Sequence, residues 1–320
     1  MVYFEPVGGL ANRLRAIDSI FPWVEQYGMD LTLLWLNNFQ LNAPWESLFE
    51  PLVYEGERVK LMNCPEGYPN YFIKTKRNKL AGQDYFVLRS FKNFLRGHRV
   101  SGELRLIADQ LGEIKNAEII DNKTDLNPVY YSVDQDNMSL YRELDNYLIQ
   151  AFEPKLKQFF ESSGKNRFMS CCYRIAPITS NYSYLKPVAS IQAKIEQTAS
   201  AFIDTVGLHI RRSDHVVSIE KSSDEKFYRL IDQKLEENPK RTFFLSTDDA
   251  VLKKAIEEKY GACILSNKIE SYDRNAQSSI ENAVWDMFCL SRTTEIYGSH
   301  QSSFSQVAAD IGGIKETTVS

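Results

Sequence analysis

The sequence predicts an α/β protein with two doubly wound domains, each built around a parallel sheet. Two observations carry this prediction. Apolar runs of strand length alternate with segments of helical period near both ends of the chain, over residues 2–36 and 202–311, and this alternation is typical of βαβ units. The length of 320 residues favours two domains, because one domain holds roughly 150 residues.

The composition indicates a folded chain and disfavours nucleic acid as a partner. Apolar residues make up 43% of the sequence and aromatic residues 12%, which is enough for a substantial core. The 38 Lys and Arg residues are outnumbered by 42 Asp and Glu residues, so the net charge is −4. Nucleic-acid binding needs a basic excess, which this balance does not supply.

The sequence also predicts where the protein resides. No stretch approaches the roughly 20 apolar residues of a membrane-spanning helix, so no transmembrane segment is expected. Residues 1–6 lack the basic and apolar regions of a signal peptide. The five cysteines are odd in number and form no CxxC pair, which favours reduced thiols. We therefore expect a cytoplasmic protein.

The first domain begins with a βαβ unit. Residues 2–4 have strand length, and the glycine pair Gly8-Gly9 follows them. A helix is predicted next, because apolar residues recur at spacings of three and four, at Leu10, Leu14, Ile17, Ile20 and Phe21. The apolar run over residues 31–36 completes the unit as a second strand.

The middle of the chain is less regular, and the domain boundary falls at its end. Residues 37–130 alternate short apolar runs with Gly, Pro and Asn, and residues 121–137 predict a polar loop. Residues 139–164 predict a long helix. Another helix starts around Pro187, since proline is favoured in a first helical turn. We place the boundary there, which gives domains of residues 1–186 and 187–320.

The second domain alternates strands and helices more clearly. Strands are predicted over residues 202–210, 242–246, 262–265 and 295–297, and helices over 225–237, 250–260, 279–290 and 303–311. In open parallel sheets, ligands bind at the carboxyl ends of the strands. Two facing α/β domains would place a cleft there, so polar residues that directly follow strands are the candidates for a site.

The first candidate follows the strand that ends at residue 210. Side chains alternate along a strand, so His209 and Arg211 point to one face and Arg212 to the other. A guanidinium at a strand end suits a diphosphate, to which it donates a forked, charged pair of hydrogen bonds. Asp214 would orient an arginine or act as a base. A surface ion-pair cluster is the alternative interpretation.

The second candidate is the segment of residues 298–305, which leads from a strand into a helix. Hydroxyl side chains and unbonded N–H groups at a helix start can bind an anion, and Ser302 and Ser303 stand at this start. A plain N-cap by either serine would explain the same residues without a ligand.

The third candidate is the turn of Gly8 and Gly9, with Asn12 and Arg13 in the helix that follows. A glycine turn between strand and helix lets a ligand approach the backbone. The turn has neither the GxGxxG spacing nor the lysine of a P-loop. A tight turn without a ligand is the alternative.

Carboxylates complete the set of candidates. Asp248 and Asp249 follow the strand that ends at residue 246, and either can cap the next helix. Asp286 lies among apolar residues of a predicted helix, where a carboxylate must be paired or accept hydrogen bonds. A structural donor would satisfy Asp286, and so would the N1–H and N2–H groups of a guanine.

No metal site is predicted. The four histidines have no spacing typical of metal ligands. Asp134 and Asp136 form a DxD pair in a polar segment before a helix, where capping and solvation explain them. The basic run over residues 74–79 is typical of a solvated surface.

Four motifs together resemble a known enzyme family. They are GGLANRLRA (8–16), GLHIRRSD (207–214), FLSTDD (244–249) and the stretch 286–309, which contains SSFS. In this order they resemble GDP-fucose-dependent fucosyltransferases, closest to the group of rhizobial nodulation and α1,6-fucosyltransferases. The HxRRxD element is shared with α1,2-fucosyltransferases. Residues 40–185 carry no motif that we can assign.

The resemblance implies a GT-B fold, in which two Rossmann-like domains hold the donor mainly on the C-terminal one. It implies transfer of fucose from GDP-β-L-fucose to a glycan hydroxyl, with inversion and without a metal or other cofactor. Arg211 would bind the β-phosphate and stabilise the leaving diphosphate. The donor-binding residues would be Gly9, Asn12, Arg13, His209, Arg212, Asp248, Asp286, Ser302 and Ser303.

The resemblance also suggests roles for single residues. His209 would contact the base or ribose, Asp286 would bind guanine, and Ser302 would bind phosphate. Family members place a carboxylate a few residues beyond HxRRxD, so we assign the general base to Glu220, with Asp214 as the alternative. The family register also permits the adjacent position, which is Ile219 in this chain.

The partners implied are a GDP-sugar donor and an oligosaccharide or glycan acceptor, the latter bound by the N-terminal domain. Two other functions fit the same residues. One is an α/β transferase that uses another nucleotide sugar, and the other is a non-catalytic module that binds GDP or a glycan.

Overall fold

The computed structural model contains two compact α/β units. The described residues are 1–38, 40–55, 57–64, 118–134, 138, 141–163, 166–179, 182–212, 216–269, 273 and 276–320. Unit 1 comprises Met1–Trp45, Pro51–Asp134 and Asn146–Thr179, and unit 2 comprises Glu46–Glu50, Gln135–Asp145 and Ser180–Ser320. The last division thus falls after residue 179 rather than after residue 186, and two short earlier segments belong to unit 2.

Unit 1 is built on a parallel sheet of five strands. These are β1 (Val2–Pro6), β2 (Leu31–Leu36), β5 (Lys60–Cys64), β6 (Glu118–Ile120) and β7 (Arg167–Cys171), while β3 (Val53–Tyr54) and β4 (Glu57–Arg58) form a separate antiparallel pair. The strand order is β5-β2-β1-β7-β6. The central strands β1 and β7 are buried along their whole length, as expected where helices cover both faces of a parallel sheet.

The helices of unit 1 differ in burial: those at residues 10–26 and 141–161 bury apolar side chains, whereas none of the five residues of Asn127–Tyr131 is buried. They are α1 (Leu10–Gln26), α3 (Asn127–Tyr131), which follows a π-helical turn at Asn122–Leu126, and most of α4 (Tyr141–Glu161); the short α2 (Trp45–Leu48) begins at the end of the first segment. In α1, Leu14, Ile17 and Ile20 are fully buried at the predicted spacings. Trp23 of α1 stacks on Phe160 of α4, with ring centroids 5.3 Å apart.

A buried ion pair ties α1 to the segment after β7. Arg174 Nη1 donates to Asp18 Oδ2 at 2.7 Å, and the two side chains are 3% and 0% exposed. Both charges have lost their hydration, so the attraction between them offsets part of the cost of burying them.

Unit 2 repeats the architecture with clearer helices. Its strands are β8 (Thr205–Ile210), β9 (Thr242–Thr247), β10 (Ile264–Leu265), β11 (Glu295–Ser299) and β12 (Lys315–Val319), in the order β10-β9-β8-β11-β12, all parallel. Its helices are α5 (Ala189–Ala199), α6 (Val216–Lys221), α7 (Asp224–Glu237), α8 (Ala250–Tyr260), α9 (Gln277–Leu290) and α10 (Ser303–Gly312). The central strand β8 is fully buried and carries Val206, Leu208 and Ile210 into the core.

The predicted α/β class with two parallel sheets is confirmed, and most predicted elements agree within a few residues. Several elements were not predicted, among them the strands β5, β6 and β7 of unit 1 and the short helices α2 and α6. β12 was absent from the prediction, because its sequence KETTV is only partly buried and weakly apolar. Helix α3 lies where a polar loop was expected, because Pro128 near its start and the bonded amides of Asn122 and Asn127 fix the turn. Pro187 precedes α5 by two residues instead of lying in its first turn.

Two further features concern the environment of the chain. Across the described part of the chain, every helix is too short or too polar to cross a lipid bilayer. Cys171, Cys172, Cys263 and Cys289 are free thiols, and burial raises the pKa of Cys172 to about 11. The expectation of a cytoplasmic protein stays a prediction.

We predict that Asp18→Asn lowers the free energy of unfolding by about 3–5 kcal/mol, because it removes the negative charge that pairs with the buried Arg174 guanidinium. Urea unfolding followed by circular dichroism measures this change. Glu258→Gln is the matched control, since Glu258 pairs with Lys254 at the surface, where the side chains are 68% and 76% exposed, and should change stability by less than about 1 kcal/mol. Equal losses in the two variants would contradict the assigned role.

Candidate functional site

The candidate site lies in unit 2, where the strand order reverses. From β8 the chain moves outward to β9 and β10, and it then returns to the other side of β8 with β11 and β12. Such a switch point leaves a crevice at the carboxyl ends of the two central strands, and ligands of open α/β sheets bind there. The residues at and just beyond the carboxyl ends of β8 and β11 therefore form the candidate site.

His209 and Ser302 meet at this edge. Ser302 Oγ lies 3.1 Å from His209 Nδ1, and the imidazole stacks on Phe304 with centroids 4.7 Å apart. The pKa of His209 is lowered to about 4, mainly by burial. The charges of Arg211 and Arg212 also lower it, and the charge of Asp248 acts in the opposite direction. His209 is therefore neutral at pH 7 and acts there as a hydrogen-bonding and stacking group.

The first turn of α10 has the properties of an anion site. Ser302 occupies the N-cap position, but its side chain makes no capping hydrogen bond, because its hydroxyl faces His209 instead. The preceding Gln301 has a φ of +52°, a left-handed conformation that costs a non-glycine residue free energy. Ser303 follows, buried, at the first helical position. The turn thus directs backbone N–H groups and the positive end of the helix dipole toward the strand ends.

Arg211 and Arg212 are adjacent in sequence but differ in their surroundings. The backbone N–H of Arg211 donates to Ser299 Oγ at 3.0 Å, which joins the end of β8 to the end of β11. The Arg211 side chain is half-buried at the edge of the sheet. Its positive charge acts on His209, whose pKa it lowers.

Arg212 is engaged in the protein framework. Its Nε donates to Asp224 Oδ1, its Nη1 to the carbonyl of Arg211 and its Nη2 to the carbonyl of Ser222, each at 2.7 Å. The guanidinium also lies 5.7 Å from the Phe227 ring centroid. Arg212 thereby closes the loop that leaves β8 and returns at α7. Its role in donor binding stays a prediction, although all three guanidinium nitrogens already have protein partners.

Asp248 and Asp249 make different hydrogen bonds to the backbone. Asp248 Oδ1 accepts a hydrogen bond from the backbone N–H of Arg212 at 2.7 Å, which ties the end of β9 to the end of β8. Asp249 caps α8 by accepting from the N–H groups of Val251 and Leu252. The expected helix cap is therefore Asp249, while Asp248 fixes the backbone of the arginine pair.

Asp286 is buried and held by neutral donors. Its Oδ2 accepts from Ser246 Oγ at 2.8 Å and its Oδ1 from Asn267 Nδ2 at 2.6 Å. Burial raises the pKa of Asp286 to about 6, although these two hydrogen bonds and Lys253 act in the opposite direction. Each carboxylate oxygen can accept more than one hydrogen bond, so binding of guanine by Asp286 stays a prediction. Ser246 belongs to the FLSTDD motif but was assigned no role, and Asn267 was missed because it belongs to no motif.

A close approach between α10 and β11 positions this site. Gly298 of β11 faces Ser305 of α10, and a Cβ at Gly298 would lie 2.7 Å from Ser305 Cβ. The Ser305 hydroxyl donates to Glu316 Oε1 of β12 at 2.7 Å. Because only hydrogen fits at Gly298, the helix sits close enough to the sheet for Ser302 to reach His209.

The glycine turn of unit 1 joins β1 to α1. Gly8 has a φ of +92°, so it is the residue for which glycine is required, whereas Gly9 has an ordinary extended backbone as the N-cap of α1. Asn12 is half-buried and packs against Gly8. Gly9 and Asn12 remain predicted donor contacts.

Arg13 is fully buried rather than exposed at the edge of its sheet. Its Nε donates to the carbonyl of Gly8 at 2.8 Å, its Nη1 donates to the carbonyl of Leu36, and its Nη2 donates to Asn38 Oδ1 at 3.1 Å. Burial lowers the pKa of Arg13 to about 10. The guanidinium therefore joins the glycine turn to the end of β2, and the role of Arg13 in donor binding stays a prediction.

The candidate bases are not among the described residues that meet at this site. Glu220 lies exposed on the short helix α6, and Asp214 lies outside the described residues. Asp136 and the basic run 74–79 also lie outside them, while Asp134 is exposed. Within the described ranges, no group of three His, Cys, Asp or Glu side chains could hold a metal ion.

Comparisons with known proteins identify the fold. A scan against protein-family models finds no match, and a search of curated proteins finds none. Solved structures are similar over almost the whole chain. NodZ α-1,6-fucosyltransferase, co-crystallised with GDP, aligns with a TM-score of 0.57 and 15% identity, covering 96% of this chain and 91% of that one. Selenomethionine NodZ from Bradyrhizobium aligns at 0.56 and 14%, covering 96% and 90%.

A second group of structures agrees with the first. POFUT1 in complex with GDP aligns with a TM-score of 0.53 and 12% identity, and the alignment covers 99% of this chain and 98% of that one. The chain therefore has the GT-B fold of fucosyltransferase structures, as the motifs predicted. At these identities the likeness concerns the fold, and the chemistry must be argued from the site.

We predict that Asp286→Asn removes a pH-dependent destabilisation. The native pKa of about 6 lies above the ordinary value of 3.8, so the native state binds more protons between these values and stability falls as pH rises through this window. The asparagine amide can accept from Asn267 and donate to Ser246 Oγ, so both hydrogen bonds survive. Relative to the wild type, the variant should gain about 3 kcal/mol between pH 4 and pH 7. Urea unfolding across this range tests it, and parallel stability curves would contradict it.

Proposed function

We propose that this protein is a glycosyltransferase that moves fucose from GDP-β-L-fucose to a hydroxyl of a glycan, with inversion and without a metal. The single observation that supports this proposal is the uncapped first turn of α10 beside His209 and Arg211 at the switch point of unit 2. The similarity in fold to NodZ structures that were co-crystallised with GDP or soaked with GDP-fucose supports the choice of donor.

The reaction needs a site that stabilises a departing diphosphate. An acceptor oxygen attacks C1 of the sugar, the bond from C1 to the phosphate oxygen breaks, and GDP leaves with an additional negative charge. Preorganised donors aimed at such a charge usually make the largest contribution to catalysis. The α10 first turn and Arg211 supply backbone N–H groups, a helix dipole and a permanent cation without a metal ion.

The described groups have separate tasks in this proposal. Arg211 binds the β-phosphate, because a guanidinium donates two parallel hydrogen bonds to phosphate oxygens. Ser303 and the N–H groups of its turn bind the same phosphate, and Ser302 orients His209. His209 contacts the base or ribose through its ring. The ring is neutral because its pKa is lowered.

Framework residues keep these groups in place. Asp248 holds the backbone N–H of Arg212, and Ser299 holds that of Arg211. Arg212 joins the end of β8 to the start of α7 by bonding to Asp224 and to the carbonyl of Ser222. The candidate bases Asp214 and Glu220 lie between these points in the sequence. One of these carboxylates takes the proton of the acceptor hydroxyl as the sugar is transferred.

We predict that Arg211→Ala lowers kcat by about 100-fold or more, because the charge that develops on GDP loses its cation. Arg211→Lys should recover part of the loss, since the charge returns without the forked geometry. Arg292→Ala is the matched control, because Arg292 is 51% exposed and pairs with Glu196 at the surface. Steady-state kinetics and thermal melting of all three variants give the result. Wild-type kcat in Arg211→Ala would refute the role.

We predict that GDP-fucose is used in preference to UDP-sugars and that EDTA leaves turnover unchanged. A screen of GDP-, UDP- and ADP-sugars against an oligosaccharide array, run with and without EDTA, measures both. Tight binding of UDP without binding of GDP would contradict GDP-fucose as the donor and favour another nucleotide sugar. Normal GDP binding with no transfer to any acceptor would favour a binding module, and a large loss with EDTA would overturn the metal-free mechanism.

A further inference from the structure

A ladder of aromatic rings leads from the core of unit 1 to its surface at the carboxyl edge of the sheet. Phe152 of α4 is buried and lies 5.7 Å from Tyr173, which follows β7. Tyr173 stacks on Tyr130 of α3 at 5.0 Å, and Tyr130 meets Tyr131 edge-on at 5.3 Å. Tyr131 is 73% exposed. A large aromatic ring is thus supported from beneath and presented to solvent.

Hydrogen bonds hold this ladder to the strand ends. Asn122, which follows β6, accepts from the N–H of Cys172 through Oδ1 at 2.9 Å and donates from Nδ2 to Asn127 Oδ1 at 3.0 Å. The Tyr173 hydroxyl donates to the same Asn127 oxygen at 2.8 Å. Helix α3 is therefore fixed to the ends of β6 and β7, so the exposed ring has a defined position rather than a place on a loose loop.

The position of the ladder is one where α/β sheets bind ligands. In unit 1 the strand order reverses between β1 and β7, so the crevice of this sheet opens beside the segment that carries Tyr173. A single exposed ring on a five-residue helix is also too small for a stable protein interface, which takes roughly 800 Å² from each partner. The occupant that fits is a small, flat ligand.

The chemistry around the ring favours a neutral ligand. Asp125 pairs with Lys155 at 2.8 Å, and Asp121 accepts from the Thr124 hydroxyl at 2.9 Å and from the backbone of Lys123. The carboxylates that precede α3 are therefore already bound. Tyr131 offers an exposed aromatic face, and a pyranose ring has a matching apolar C–H face.

We propose that Tyr131 and Tyr130 form an acceptor subsite, on which one sugar ring of a neutral oligosaccharide stacks. This inference rests on the proposed function, because a glycosyltransferase must hold an acceptor as well as a donor. Tyr131 supplies the stacking face, Tyr130 supports it, and Asn127 and Asn122 fix both by holding α3.

The test measures acceptor and donor binding in the same variants. Tyr131→Ala should weaken binding of neutral oligosaccharides of three to six glucose, galactose, mannose or N-acetylglucosamine units by about 3- to 10-fold, the effect of losing one aromatic stacking contact. Tyr131→Phe should bind as the wild type does, and Tyr131→Leu should resemble Tyr131→Ala, because it is apolar but has no ring. Tyr147→Ala is the matched control, since Tyr147 is an exposed tyrosine of α4 outside the ladder, 47% exposed.

Saturation-transfer NMR gives the sugar protons that contact the protein, and titration with GDP gives the donor affinity. Unchanged GDP affinity with weakened oligosaccharide binding in Tyr131→Ala and Tyr131→Leu supports the subsite. Equal oligosaccharide binding in all variants, full binding in Tyr131→Leu, or no binding of any panel member overturns it. Association of the wild-type chain through this ring, seen as a dimer that Tyr131→Ala abolishes, also overturns it. Failure of the wild type to bind GDP would instead refute the proposed function.

Discussion

The close approach of α10 to β11 is the constraint on which the donor-side site depends. A helix normally packs on a sheet at a distance set by the side chains between them. Gly298 of β11 has no side chain, and Ser305 of α10 fills the space. The Ser305 hydroxyl then bonds both to Glu316 and to the carbonyl of Ser302. The first turn is thereby held at a fixed height above the strand ends. The contact between Ser302 and His209 follows from that height.

The general course of the chain could be predicted from sequence, because parallel strands and their helices have simple periodicities. Helix α8 was predicted at Ala250–Tyr260 and occurs there, and strand β9 differs by one residue. Segments held by specific side chains escaped prediction. Helix α3 depends on a network of amides around Asn122, and β12 gains its place by pairing with β11 rather than by its own apolar character.

For the site, the strand-end rule correctly brought His209 and Ser302 together, although they are 93 residues apart. A motif cannot tell where a guanidinium points. Arg13 and Arg212 belong to the same motifs as the half-buried Asn12 and Arg211. Both guanidinium groups nevertheless bond to backbone carbonyls and hold the turns in shape. Residue type and spacing indicate a site, while its division into ligand-binding and framework residues depends on burial, which the pattern does not encode.

The division of the chain between the units has a consequence for its synthesis. Residues 46–50 and 135–145 belong to unit 2, although most of that unit lies after residue 180. Phe49 is almost fully buried and lies 6.4 Å from the Phe288 ring, and Asp145 bonds to Gln306. While the ribosome is still adding the last third of the chain, Phe288 and Gln306 are not yet available to these two side chains. Unit 2 therefore cannot close as the chain emerges, and nascent molecules carry exposed apolar surface until translation is nearly finished.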